Sequence, residues 1–189
     1  IKSILIMKIT ETKFKDILII QPNIYSDERG FFLESFNDQW LSKYLGKNIK
    51  FVQDNISYSK KGVLRGLHYQ YKKPQGKLLR LISGEIFDVC VDLRKDSINF
   101  GKYFSIRLSS KDYTSLWVPP GYAHGFYVVS KSAELLYKTT EFWYPDFEQT
   151  IIWNDKNLNI NWPLIKEPVL SYKDSVGKNF LDCIYFNNR

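Results

Sequence analysis

The chain of 189 residues carries 27 basic and 20 acidic side chains, a net charge of +7, with 44% hydrophobic and 25% charged residues. These are the proportions of a soluble globular protein large enough to bury a sizeable core, and they exclude a disordered or low-complexity chain. No uninterrupted apolar run approaches the roughly 20 residues of a membrane-spanning helix.

In chain order, the first apolar group is Ile4, Leu5, Ile6 and Met7. It is brief, has lysines close by on both sides, and is followed by no longer apolar region or small-residue cleavage site, so no secretory signal is expected. Met7 is the only methionine, which leaves two readings open: extraneous residues ahead of a start at Met7, or an initiator lost before Ile1. Short strand-like runs then recur: 17–21, 31–35, 51–57, 63–70, 77–83, 85–93, 102–108, 114–118, 124–129 and 134–140. They are rich in β-branched and aromatic residues and are separated by Gly, Pro, Asn and Asp. That pattern predicts an all-β sandwich or barrel in one domain spanning residues 1–189. Only residues 38–45 have helical spacing, with Trp40, Leu41, Tyr44 and Leu45 on one side and Gly46 as the stop. Between 147 and 182 alternation weakens; Trp153, Leu158, Ile160 and Trp162 are suited to sealing an edge of the core, while Asp174 has no place that periodicity assigns.

The two cysteines, Cys90 and Cys183, make no disulfide framework; with no secretion signal they point to a reduced, cytoplasmic setting. Alternation in the run 85–94 puts Ile86, Asp88, Cys90 and Asp92 on one face, which suggests the lining of a cavity or a plain surface. In the run 134–140, Leu135 and Tyr137 share one face, and Leu136 and Lys138 the other.

Charge is unevenly placed. From Asn55 to Gly84 stand Lys60, Lys61, Arg65, Lys72, Lys73, Lys77 and Arg80 without one acidic residue. There is no basic helix and no zinc-finger spacing, so this is a field for a small anion rather than for nucleic acid, or else a solvated surface. The same stretch holds His68, one of only two histidines; the other is His124, and both lie beside glycines in extended segments. Either histidine suits proton exchange near neutral pH, or a structural donor at a strand end. Jelly-roll metal sites commonly use two histidines two residues apart and a third further on. Here Gln70 stands at the second position and no third histidine exists, so a bound metal is not expected. A nucleophile elbow, a Walker loop and a dinucleotide fingerprint are all missing.

The blocks SDERGFFLESFN (26–37), FVQDNISYSKKGVLRGLHYQ, QGKLLRLISGEIFDVCVDLRKDS, LWVPPGYAHGF, ELLYKTTEFWYP, WNDKNLNINWP and LSYKD occur in collinear order. Together they closely resemble the dTDP-4-dehydrorhamnose 3,5-epimerase family. The resemblance implies a cupin-type jelly-roll sandwich with one or a few short helices, and a homodimer whose N-terminal strands complete the partner's sheet and site. It implies a nucleotide-linked 4-keto sugar as substrate, with no cofactor, no metal, no nucleic acid and no membrane. By resemblance His68 is the catalytic base, held by Asp174, Tyr137 the acid on the opposite face of the sugar, and Lys77 the cation at its keto oxygen. His124 resembles a second pocket histidine, with Asp88 as its orienting neighbour, and Arg65 a phosphate ligand. Arg29, Glu34, Gln53 and Asn55 match nucleotide-binding positions, Arg29 and Glu34 entering from the partner subunit. The family often has two tyrosines where this chain reads Glu141, Phe142, Trp143, Tyr144. Phe142 and Trp143 keep aromatic packing but change the hydroxyls around the sugar, with Trp143 counted among the substrate contacts. Double inversion at C3 and C5 is therefore the first expectation. A C3-only epimerase, an epimerase of a related 6-deoxy-hexose or heptose nucleotide, and a non-catalytic binding module are the alternatives.

Overall fold

The computed structural model describes residues 7–46 and 48–187; the question of how the chain begins ahead of Met7 lies outside the described residues. Two antiparallel sheets face each other. The first contains β1 (Met7–Glu11), β2 (Leu18–Pro22), β5 (Gln53–Lys60), β7 (Lys77–Ser83), β10 (Ser115–Val118) and β12 (Ser132–Thr139), in the order β1-β2-β10-β7-β12-β5. The second contains β6 (Leu64–Gln70), β8 (Glu85–Asp92), β9 (Tyr103–Ser109), β11 (Tyr122–Val128) and β13 (Glu148–Thr150), in the order β13-β6-β11-β8-β9. β3 (Ile24–Asp27) and β4 (Gly30–Leu33) form a separate hairpin. Apart from the consecutive pairs β1–β2 and β8–β9, neighbours in each of the two facing sheets are not consecutive in the sequence, as in a jelly roll.

Three apolar clusters hold the layers together. Between the sheets, Leu79, Leu81, Leu116 and Leu135 from the first meet Ile86, Cys90, Phe104 and Phe126 from the second. Each side chain closed off completely there contributes roughly 1.5–3 kcal/mol. On the outer face of the second sheet, Leu67, Val89, Val91 and Tyr127 are covered by Leu158, Trp162, Phe180 and Cys183, with Trp153 and Ile160 alongside, so the C-terminal segment does seal this edge. On the outer face of the first sheet, Met7, Leu18, Leu78 and Trp117 are covered by Leu41 from α1 (Asp38–Leu45).

The helix has the predicted limits. The Asn37 side chain accepts from the Trp40 amide at its start, and Gly46, at φ +96°, closes its end. Trp40 and Leu45 pack inward as expected, but Tyr44 is exposed and lies against the Trp40 ring, so one helical side is wider than the core it meets. Cys90 and Cys183 are both buried and unbonded to each other. Among the described residues no helix is long and apolar enough to cross a membrane.

Candidate active site

The site begins with a break in strand geometry. His68 on β6 pairs with His124 on β11, and Arg65 pairs with Phe126, so β6 uses three residues where β11 uses two. In a regular strand residues three apart point to opposite faces. This bulge turns Arg65 and His68 to the same side, and both line one cavity. The backbones come close enough there that only glycine fits. A Cβ on Gly66, at φ +118°, would stand 2.6 Å from Gly125 Cα, and one on Gly125 2.7 Å from the Arg65 carbonyl oxygen. The glycines beside both histidines thus serve the bulge.

The cavity, about 300 Å³, lies between the sheets. From β5, the inward positions Gln53, Asn55 and Ser57 line it; from β12, Leu135 and Tyr137; from β7, Lys77 and Leu79. Register places Asn55, Tyr137 and Leu79 side by side across three strands. The predicted faces of β12 hold, since Lys138 points the other way and pairs with Asp54 at 2.9 Å. His68 and Tyr137 therefore enter from opposite sheets.

Each histidine has a carboxylate behind it. His68 Nε2 lies 2.5 Å from Asp174 Oδ1, and His124 Nε2 lies 2.8 Å from Asp88 Oδ2. An ionised carboxylate only accepts, so Nε2 donates in both pairs and Nδ1 keeps its lone pair. Asp174 is brought in by α2 (Tyr172–Ser175), whose N-cap is Ser171. The Ser171 hydroxyl accepts from the Asp174 amide at 3.2 Å and donates to Asp174 Oδ2 at 2.8 Å. Ser171-x-x-Asp174 thus has capping-box spacing, with the Ser171 hydroxyl rather than its backbone amide bonding the carboxylate, and the cap aims the other oxygen at His68. Periodicity did not reveal this, but the capping spacing was the available signal. Asp88 is fully buried and stands behind His124, outside the cavity lining.

Burial and charge set the proton states. Burial lowers the His68 pKa; the Asp174 bond opposes this, and Lys173 and Lys77 reinforce it, leaving a net fall. The imidazole is therefore neutral at neutral pH. Burial raises the Asp174 carboxyl, but the bonds from His68, Ser171 and the Gly66 amide outweigh it, and its pKa is lowered. The Tyr137 phenol is pushed up by burial and by Glu148, against the pull of Arg65, so it holds its proton. Desolvation lowers the Lys77 ammonium while Glu148, Cys90 and Asp88 resist.

Other expectations are corrected or extended. The face Ile86, Asp88, Cys90, Asp92 looks between the sheets but is not part of the active-site lining: Ile86 and Cys90 pack in the core, and Asp92 is held by Arg94 and Ser97. The reason is that core side chains from the facing sheet fill that space. Of the basic stretch, Arg65 and Lys77 reach the cavity; Lys60, Lys61, Lys72 and Lys73 are exposed, and Arg80 is absent from the lining. Trp143 lines the cavity while Phe142 does not, and the Trp143 amide donates to Gln53 Oε1 at 3.0 Å. Arg29 and Glu34 do not line this chain's cavity; Arg29 is exposed in the β3–β4 hairpin and paired with Asp27. Two charged lining residues escaped the sequence reading, Glu148 and Lys173, which pair at 2.8 Å, as did the polar Ser57 and Gln75. Glu148 sits in a three-residue strand too short to show a period. Among the described residues no group of three or more His, Cys, Asp and Glu side chains is arranged to hold a metal.

Residues 11–182 match the sequence model of the dTDP-4-dehydrorhamnose 3,5-epimerase family. The chain belongs to that family. It is 49% identical over 180 residues to the dTDP-4-dehydrorhamnose 3,5-epimerase of Pseudomonas aeruginosa, covering 95% of this chain and 99% of that protein. Its fold superposes with a TM-score of 0.93 on the 3,5-epimerase of Legionella pneumophila in complex with dTDP-4-keto-L-rhamnose, at 44% identity, covering 97% of this chain and 99% of the other. It is also similar, with a TM-score of 0.83 and 28% identity, to a 3'-monoepimerase from Streptomyces bikiniensis in complex with dTDP-quinovose, covering 89% and 86% of the two chains. The jelly-roll expectation and the family resemblance both hold.

Proposed function

We propose that this epimerase inverts C3 and C5 of dTDP-4-dehydro-6-deoxy-D-glucose, giving dTDP-4-dehydro-L-rhamnose, with His68 as base and Tyr137 as acid. The observation that carries the reading is the entry of a neutral imidazole and a protonated phenol into one cavity from opposite sheets. The C4 ketone acidifies the hydrogens on both neighbouring carbons. His68 Nδ1 takes a proton from one of them, and the C–H electron pair moves into the ring while the carbonyl becomes an enolate. Lys77 stands at the developing oxyanion, where a preorganised donor is worth roughly 10²–10³ in rate. Tyr137 then delivers its phenolic proton to the other face of the same carbon and the carbonyl re-forms. Water returns a proton to the phenolate and removes one from the imidazolium; nothing is oxidised or reduced.

Arg65 is the diphosphate ligand in this reading, its planar guanidinium suited to paired phosphate oxygens. Its present partners, the Ser59 hydroxyl at 2.9 Å and the Tyr58 carbonyl at 3.3 Å, hold it at the cavity. Gln53, Asn55 and Trp143 bind the nucleotide end, and His124, oriented by Asp88, accepts a sugar hydroxyl at Nδ1. The working form is a cytoplasmic homodimer of single-domain chains, in which Arg29 and Glu34 serve the neighbouring site. Supporting this, the hairpin presents Tyr25, Phe31 and Phe32 to solvent, and edge strand β5 presents Ile56 and Tyr58.

Proton NMR of the turnover in deuterated water tests the reading: deuterium should enter at both C3 and C5. Trp143 in the cavity wall, where the family often has tyrosine, favours one second reading, inversion at C3 alone. Exchange confined to C3 would establish it in place of the first. Nucleotide-sugar binding without exchange at either carbon would leave a binding module.

A further inference from the structure

Residues 169–178 form a strap across the second sheet. At one end the Val169 amide donates to the Gly62 carbonyl at 2.8 Å and the Leu64 amide to the Val169 carbonyl at 3.1 Å. At the other, the Ile152 amide donates to the Lys178 carbonyl at 2.8 Å and the Lys178 amide to the Thr150 carbonyl at 2.9 Å. Between these ties the strap carries α2, and with it Lys173 on the cavity wall and Asp174 against His68.

We propose that Gly177 is a positioning residue, which lets the strap lie directly on the backbone at Ile151 and Ile152 and so fixes how closely Asp174 meets His68. A Cβ at Gly177 would stand 2.7 Å from Ile152 N, 2.9 Å from Ile151 C and 2.9 Å from Ile152 Cα. All three are backbone atoms, so no side chain can swing aside. The ground beneath is also fixed: Ile151 is fully buried and exchanges two backbone bonds with Leu67, at 2.9 and 3.1 Å. The strap is what would move. Its displacement reaches Asp174 because the Ser175 amide bonds the Ser171 carbonyl at 3.0 Å and the Val176 amide the Tyr172 carbonyl at 3.2 Å, making 171–176 one rigid turn. Gly177 is not in the cavity lining; it acts through Asp174.

The inference rests on His68 being the base, yet its first test needs no substrate. In the free, full-length protein, ring-nitrogen NMR reads the tautomer of each of the two histidines. With Asp174 in place His68 carries its proton on Nε2, and the charges facing the ring are Asp174, Lys173 and Lys77. Gly177→Ala should scramble the His68 tautomer and leave His124, paired with Asp88 on another strand, as it was. Turnover should fall roughly 10²-fold, the effect of a displacement near 1 Å, chiefly in kcat. Adding Gly177→Ala to Asp174→Asn should cost little more than Asp174→Asn alone, since both act on one contact. An unchanged His68 tautomer, or losses that multiply in the double variant, would overturn the proposal. If Gly177→Ala does not fold, Ser171→Ala releases Asp174 Oδ2 from the same strap, and an undisturbed His68 tautomer there is equally fatal. A wild-type protein that turned over no 4-keto sugar would defeat the proposed function while leaving the tautomer result to decide the strap.

Discussion

His68 and His124 are direct cross-strand partners on β6 and β11, and each gives Nε2 to its own buried aspartate from a different element. Asp174 comes from the C-terminal strap and Asp88 from β8. Two imidazoles with the same tautomer thus stand side by side, both in the cavity that Tyr137 enters from the facing sheet, and burial, reinforced by Lys173 and Lys77, holds His68 below the usual imidazole range. Their roles can be separated by substitution.

His68→Ala removes the base and leaves Arg65, Gln53 and Asn55 in the wall. Turnover should fall by about 10²–10⁴, with deuterium exchange lost at both carbons while dTDP still binds in calorimetry. Near-normal exchange would take the base assignment away from His68.

Tyr137→Phe keeps the ring in the cavity and removes the proton it delivers. Exchange at the acidified carbons should persist in part while the yield of inverted product drops by about 10²–10⁴. Full turnover with wild-type product stereochemistry would reject the acid role.

Lys77→Met keeps the length of the stem and deletes the charge. The expected loss is roughly 10²–10³ in kcat with a smaller change in KM, because the cation matters most when the oxygen is an enolate. A change confined to KM would make Lys77 a ground-state contact only.

Acidification should act on rate and stability in the same direction. The His68 pKa lies below its ordinary 6.5 because burial disfavours the imidazolium, so the acid limb of kcat/KM should fall below that value. In the unfolded chain His68 takes up its proton first as pH drops through 6.5, so the fold loses stability from there down to the folded pKa. Asp174, lowered from 3.8, adds stability above that value and loses it as pH falls through its own folded pKa. Tm should fall as the pH drops below 6.5 on account of His68 and fall again below 3.8 on account of Asp174; a Tm rising on mild acidification would contradict the His68 shift.

Much of this was legible in the chain itself. Helix α1 and strand β7 have the limits that apolar spacing and Gly46 predict, and the inward face of β12 follows from alternation, because burial on one side imposes a period of two on the residues. The collinear blocks carried the family, and the local Ser171-x-x-Asp174 spacing held a capping signal that periodicity could not show. Tertiary structure alone decided the rest. β1, β3 and β13 are too short or too exposed to leave a period. The bulge that brings Arg65 and His68 to one side depends on how β6 registers with β11, about sixty residues away, and no local pattern encodes a register between strands. The same holds for Asp174, which reaches His68, and for Glu148, which reaches the cavity, only because the strap and β13 are hydrogen-bonded to β6 and its neighbours. Sequence determines which side chains face inward, since that depends on neighbours along the chain; which of them meet depends on contacts made when distant strands pack.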